Sequence, residues 1–172
     1  MSGHTPHAEN PFEKRVAFTI AVTAMIVAIT SMLGKGFSTE AIVKTTEAAN
    51  KWAYYQAKSV KKNIVENTGR VLEISSAEKE KENAKNHLTK LEEQSKRYEE
   101  EMVEIKNEAE KLDKEALNYL HHSTKAEYAM LFLEMGIVLS SLAILSKIKI
   151  FWFGGIGSTI IGTIILIITL MG

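Results

Sequence analysis

Glu134 is the one Asp, Glu, Lys, Arg or His side chain inside three hydrophobic stretches that are each long enough to cross a bilayer, so it is the first candidate for chemistry in this chain. A carboxyl in hydrocarbon has two uses. Kept neutral, it hydrogen-bonds between helices, and exchanging a proton or passing an ion, it marks a pathway. Glu134 falls about 9 Å along a helix from Tyr128 and beside Leu133. It is expected to face the protein interior, hydrogen-bonded to Thr23, Thr30 or Ser141 of its own or another copy. Interhelical attachment is the expected role and an ion or proton route the rival.

The other residues with chemical potential offer less. His121 and His122 are adjacent, and neighbouring helical positions point about 100° apart, so the two cannot both ligate one ion within a monomer. An anchor at the membrane surface is the expected role, with a histidine ring around an oligomer axis as the alternative. His4 and His7 precede the first span, and His87 is isolated. There is no cysteine, hence no thiolate nucleophile, disulfide or Cys-ligated metal, and Asp113 is the single aspartate. HExxH, P-loop and Ser-His-Asp arrangements are missing, and the glycines at 155 and 157 do not continue into a dinucleotide fingerprint because Ile160 occupies its third glycine position. No catalytic, cofactor-binding or metal residue is therefore expected, no small-molecule substrate is evident, and the chain is not expected to be an enzyme.

The elements that carry these residues follow from hydropathy and charge. The expected order is a disordered tail over 1–15, a transmembrane helix over 16–34, an extramembrane coiled-coil hairpin over 35–127, and transmembrane helices over 128–146 and 150–171. The fold class is thus an all-α membrane protein of three spans, with a long helical hairpin inserted between the first and second. The insert holds 17 of the 21 basic and 18 of the 21 acidic side chains, which leaves it near neutrality and argues against nucleic acid as a partner. Lys14 and Arg15 before an apolar run imitate a signal peptide, but the run is too long and lacks a small-x-small site, so an uncleaved anchor is expected.

Within the insert, Gly34 and Gly36 allow a bend, with Ser38 as an N-cap and a first helix running to about Asn67. Gly69 would close that helix, and Ser75 with Glu78 has capping-box spacing for the next. From Ala84 the apolar and small residues alternate steps of four and three: Leu88, Leu91, Ser95, Tyr98, Met102, Ile105, Ala109, Leu112, Ala116, Tyr119, Ser123, Ala126. The phase continues to Ser140, which predicts one helix from about Ser76 to Ser146, roughly 105 Å long. The acidic and basic residues beside the seam read as a solvated face with weak i,i+4 pairs.

The first insert helix carries the most distinctive string of the chain, Trp52 to Lys58, WAYYQAK, followed by Ser59, Val60, Lys61 and Lys62. Trp52, Tyr55 and Ser59 share one stripe of that helix, and Ala49, Ala53, Gln56 and Val60 the next. Aromatics beside an alanine ridge predict helix-on-helix packing against the second insert helix, with an exposed ligand platform as the alternative, and Gln56 as a buried polar register pin. With this string, the lysine-rich continuation, His121 and His122 before the second span and the closing pair of hydrophobic helices, the chain resembles the bacterial membrane proteins grouped as domain of unknown function 4337. The resemblance implies a bacterial inner-membrane location and supplies no activity.

Small residues recur along two spans. Gly154, Ser158 and Gly162 follow the aromatic Phe151, Trp152 and Phe153, and Ala17, Ala21, Ala24, Ala28 and Ser31 line the first span. Such stripes let helices approach in lipid, where van der Waals contact drives association. A homo-oligomer held by spans and coil is therefore expected. Lys14, Arg15, Lys147 and Lys149 fall on one side, which favours tail and turn in the cytoplasm and the insert on the non-cytoplasmic side. The leading reading is a membrane-anchored homo-oligomeric coiled-coil scaffold that meets lipid, itself and a further membrane or envelope protein. The rival is a small oligomeric channel using Glu134.

Overall fold

The computed structural model describes residues 11–75 and 81–171, leaving aside the side chains of 81–83. Among the described residues there are three helices and no strand: α1, Pro11–Ser75; α2, Lys81–Ser146; and α3, Lys149–Met171. Each is long and apolar enough to cross a membrane. The chain divides into two compact units, one taking residues up to Glu40 and from Asn118 onward, the other Ala41–Leu117.

Several boundaries differ from expectation, each for a local reason. Helix α1 begins at Pro11, inside the stretch read as a disordered tail, because proline at the first helical position gives up no intrahelical hydrogen bond. His4 and His7 lie outside the described residues. The bend after Gly34 and Gly36, the Ser38 cap and the stop near Asn67 and Gly69 are all absent, since α1 stays helical to Ser75. Gly34 serves close approach instead: a Cβ there would lie 3.3 Å from the Ala126 Cβ, and its carbonyl accepts the Ser123 hydroxyl at 3.3 Å. Gly69 lies beside Leu88 and Leu91, where a Cβ would make only ordinary contact at 3.7 and 3.9 Å. Ser75 ends α1 with its hydroxyl turned back to the Leu72 carbonyl, and Glu78 of the expected capping box lies outside the described residues. Two residues join α2 to α3, with Lys147 at φ 57°, a left-handed conformation that glycine would adopt more readily.

In the first unit the buried positions of α1 are Val16, Thr23 and Thr30, two turns apart. The hydroxyls of Thr23 and Thr30 donate to the carbonyls four residues back at 2.9 and 2.8 Å, which satisfies them without water. Of the small-residue stripe on this helix, Ala17, Ala21, Ala24 and Ala28 are exposed and Ser31 is half-buried, so within one copy the four alanines are left uncovered.

In the second unit α1 and α2 run antiparallel. Their pairing is shown by Lys44 with Glu115, Lys51 with Glu108, Lys58 with Glu101 and Lys62 with Glu99. Every position of the α2 seam from Ala84 to Ala126 is buried or half-buried, so the periodicity marks the inward face of this helix. Its fully covered members in this unit are small or medium, Ala84, Ile105, Ala109 and Ala116, opposite Ala41 and Ala48 of α1. A buried methyl group contributes only about 0.8 kcal/mol, so close helix approach rather than bulk holds this pair.

Candidate functional site

Three glycines set how closely α2 and α3 meet. A Cβ on Gly155 would lie 2.8 Å from the Gly136 carbonyl oxygen, one on Gly136 2.9 Å from that of Gly155, and one on Gly162 2.8 Å from that of Ala129. The backbones touch at these points, and no side chain fits between them. Ser158 Oγ adds a hydrogen bond to the Phe132 carbonyl at 2.6 Å. Expectation had Gly154, Ser158 and Gly162 as the stripe that joins copies; Ser158 and Gly162 are buried within the chain, whereas Gly154 is exposed and the inward position belongs to Gly155. Gly136, with its four-residue spacing to Ser140, carries the same small-xxx-small signal on α2.

Helix α1 joins the pair through polar contacts. Thr23 and Thr159 hydroxyls are 3.3 Å apart, and the Trp152 indole N–H donates to Thr19 Oγ1 at 3.2 Å while its ring meets Phe12 edge to face. At the opposite end, the Nδ1–H of His122 donates to the Thr169 carbonyl at 3.1 Å, and its ring lies 5.4 Å from Phe37. A carbonyl can only accept, so this nitrogen carries the proton. His122 thus caps a carbonyl that the end of α3 would leave unpaired. His121 is exposed, and the two rings do not converge.

The same contacts place Glu134. Gly136 is level with Thr159, α3 has its midpoint at Ile160, and Glu134 precedes Gly136 by two residues in the antiparallel helix. It is therefore level with the middle of α3, about 16 Å from either end. Its side chain is exposed among Leu131, Met135 and Val138, and forms no hydrogen bond or ion pair among the described residues. This corrects the expected inward orientation within a copy. Thr23 and Thr30 are turned to their own backbone, and the Ser141 hydroxyl donates to the Ile137 carbonyl at 2.8 Å. Leu133, not Glu134, takes the fully buried position.

In the aromatic string of the second unit, Trp52 reaches α2 through a polar contact, while Tyr54 is exposed. Trp52 and Tyr55 are half-buried, their rings meet edge to face at 5.8 Å, and the Trp52 indole N–H donates to Asp113 Oδ2 of α2 at 2.9 Å. Gln56 is exposed and cannot pin the register. Lys58 does that instead, bonded to Glu101 with its ammonium 5.4 Å from the Tyr54 ring and 5.1 Å from that of Tyr98. The bond from Lys58 holds the Glu101 carboxyl below its ordinary value, and the bond to Glu101 holds Lys58 above its own.

Among the described residues no group of three His, Asp or Glu side chains is placed to hold a metal ion. Comparison with curated proteins and with solved structures gave no match. A family model described as domain of unknown function (DUF4337) matches residues 12–172, a range that takes in the three helices, the aromatic string and both glycine-bearing span helices, and the chain belongs to that family.

Proposed function

We propose that this protein is a homo-oligomeric scaffold of the bacterial inner membrane, anchored by its three helices and carrying residues 35–127 as a coiled-coil hairpin on the non-cytoplasmic side. The observation that carries the reading is Glu134. A carboxyl level with the middle of α3 and exposed among Leu131, Met135 and Val138 would stand at the bilayer midplane. Charged there, it costs about 2.5–3.5 kcal/mol on the insertion scale, and such groups face bundle interiors or partners. A single copy offers it neither, so a second copy is the partner that relieves it. The outward alanines of α1 add a surface on which helices can close. The seam of α2 faces inward within one copy, so self-association rests on the spans and not on the coil.

A second reading is an ion or proton route, in which Glu134 of several copies surrounds one axis. The same exposed carboxyl favours it. Partners of the scaffold reading are lipid, other copies and a further membrane or envelope protein met by the charged insert, and catalysis forms no part of it.

Mass measurement of the full chain in mild detergent tests the proposal, with Glu134→Gln and Glu134→Leu beside it. Assembly is expected for the natural chain and for Gln, which retains a hydrogen-bonding head, and weaker assembly for Leu. Ion flux into liposomes that Gln abolishes would favour the route. A natural chain that stays monomeric at micromolar concentration would remove the basis of both readings.

A further inference from the structure

We propose that a groove between α1 and α2 seats the head group of a zwitterionic phospholipid bearing a primary ammonium, with the phosphate at Lys35 and the ammonium at Glu127. The groove has a volume of about 230 Å³ and lies against Gly34 and Ala126, whose close approach forms its floor. Its rim carries one charge of each sign. Lys35 and Glu127 both line it, both are exposed, and neither forms an ion pair with the other or with another described residue. Two opposite charges that flank one groove without closing on each other suit a ligand that carries both signs.

Two hydroxyls complete the lining. Ser31 and Ser38 are half-buried there and make no hydrogen bond among the described residues, whereas the neighbouring Thr30 and Ser123 hydroxyls are already donated to the Ile26 and Gly34 carbonyls. Free hydroxyls beside an ammonium are donors to a phosphate ester. The level of the groove selects a lipid over a soluble zwitterion. His122, four residues before Ala126, bonds to Thr169, so the groove is level with the last turns of α3, and Lys35 and Glu127 on its rim are the charges that adjoin the apolar runs of α1 and α2. Its volume is below the ~300–1000 Å³ of drug-sized sites and suits a head group whose chains remain in the bilayer.

Native mass spectrometry of the full chain, released from micelles containing equal phosphatidylethanolamine and phosphatidylglycerol, reads the preference directly. Phosphatidylethanolamine should be retained preferentially, and Lys35→Gln and Glu127→Gln should each lower that retention about fivefold, the scale of one partly exposed ion pair. Ser31→Leu, which fills the groove and leaves both charges, should lower it as well. Because Lys35 and Glu127 are exposed, helicity by circular dichroism should stay unchanged in both glutamine variants. Equal retention of the two lipids, or retention indifferent to all three substitutions, would overturn the proposal. Competition by soluble glycerophosphoethanolamine at equal concentration would overturn the lipid as its source.

Discussion

Gly162→Ala tests the account of how α2 and α3 pack, because its cost can be worked from distances. The new Cβ would lie 2.8 Å from the Ala129 oxygen and the Leu133 Cγ, and 3.1 Å from the Leu133 nitrogen. Ordinary contact begins near 3.4 Å, so the helices must part by about 0.6 Å at a point where two of the three obstacles are backbone. Overpacking of this kind costs about 1–3 kcal/mol. The same separation stretches the 2.6 Å bond from Ser158 to the Phe132 carbonyl, an interhelical bond worth about 0.6–2 kcal/mol in lipid. Against this stands the gain from replacing a helical glycine, about 0.5–1 kcal/mol. The net expectation is a loss of about 1–3 kcal/mol. Gly154→Ala and Gly157→Ala are the controls: the first Cβ would meet only the Leu139 Cδ1 at 3.7 Å, and the second nothing within 4 Å. Both should be neutral or slightly stabilising. Reversible unfolding of the full chain in mixed micelles, followed by helical circular dichroism, measures all three. If Gly162→Ala proves as stable as the two controls, the close approach of these helices is wrong.

Further outcomes follow from other contacts. Trp52→Phe removes the indole donor to Asp113 while keeping a ring against Tyr55, and should lower the melting stability of the insert by about 1 kcal/mol or less; no loss in thermal circular dichroism would deny that bond a role. His122→Phe leaves the Thr169 carbonyl uncapped but preserves a ring beside Phe37, so hydrogen exchange should quicken in the last turn of α3 and not near Gly155. The Lys–Glu ladder gives a pH signature. Glu101 is held below its ordinary value of 4.5, so its contribution is present above that value and lost as pH falls through the lowered one. Lys51, Lys58 and Lys62 are held above 10.5 by their bonds to Glu108, Glu101 and Glu99 of α2, so their contribution is present below 10.5 and lost as pH rises through the raised values. Melting of the insert should therefore be flat between these limits and fall outside them, with the effect reduced in high salt; a melting temperature unchanged at both extremes would count against the ladder.

What the sequence determined by itself is whatever depends on contrast with water. Three apolar runs and a charged insert specify an all-helical chain with three helices able to span a membrane, because only helices satisfy every backbone group over such lengths. The seam of α2 was legible for the same reason: from Ala84 to Ala126 small and apolar residues stand against Glu and Lys, and every seam position faces inward. The contact of Trp52 with α2 was legible in the same way. Gln56 was not, since the inward heptad positions of α1 hold Ala48, Tyr55, Lys62 and Gly69, a set with too little apolar character to fix the phase.

Tertiary structure alone decided the faces of the spans. In lipid an isoleucine is as well placed outside as inside, so hydropathy carries no period, and the inward face is chosen by where two backbones can touch. That property belongs to a pair of helices. It selected Gly155 over Gly154, joined Gly136 to Thr159, turned Thr23 and Thr30 inward in place of the alanine stripe, and left Glu134 on the outside.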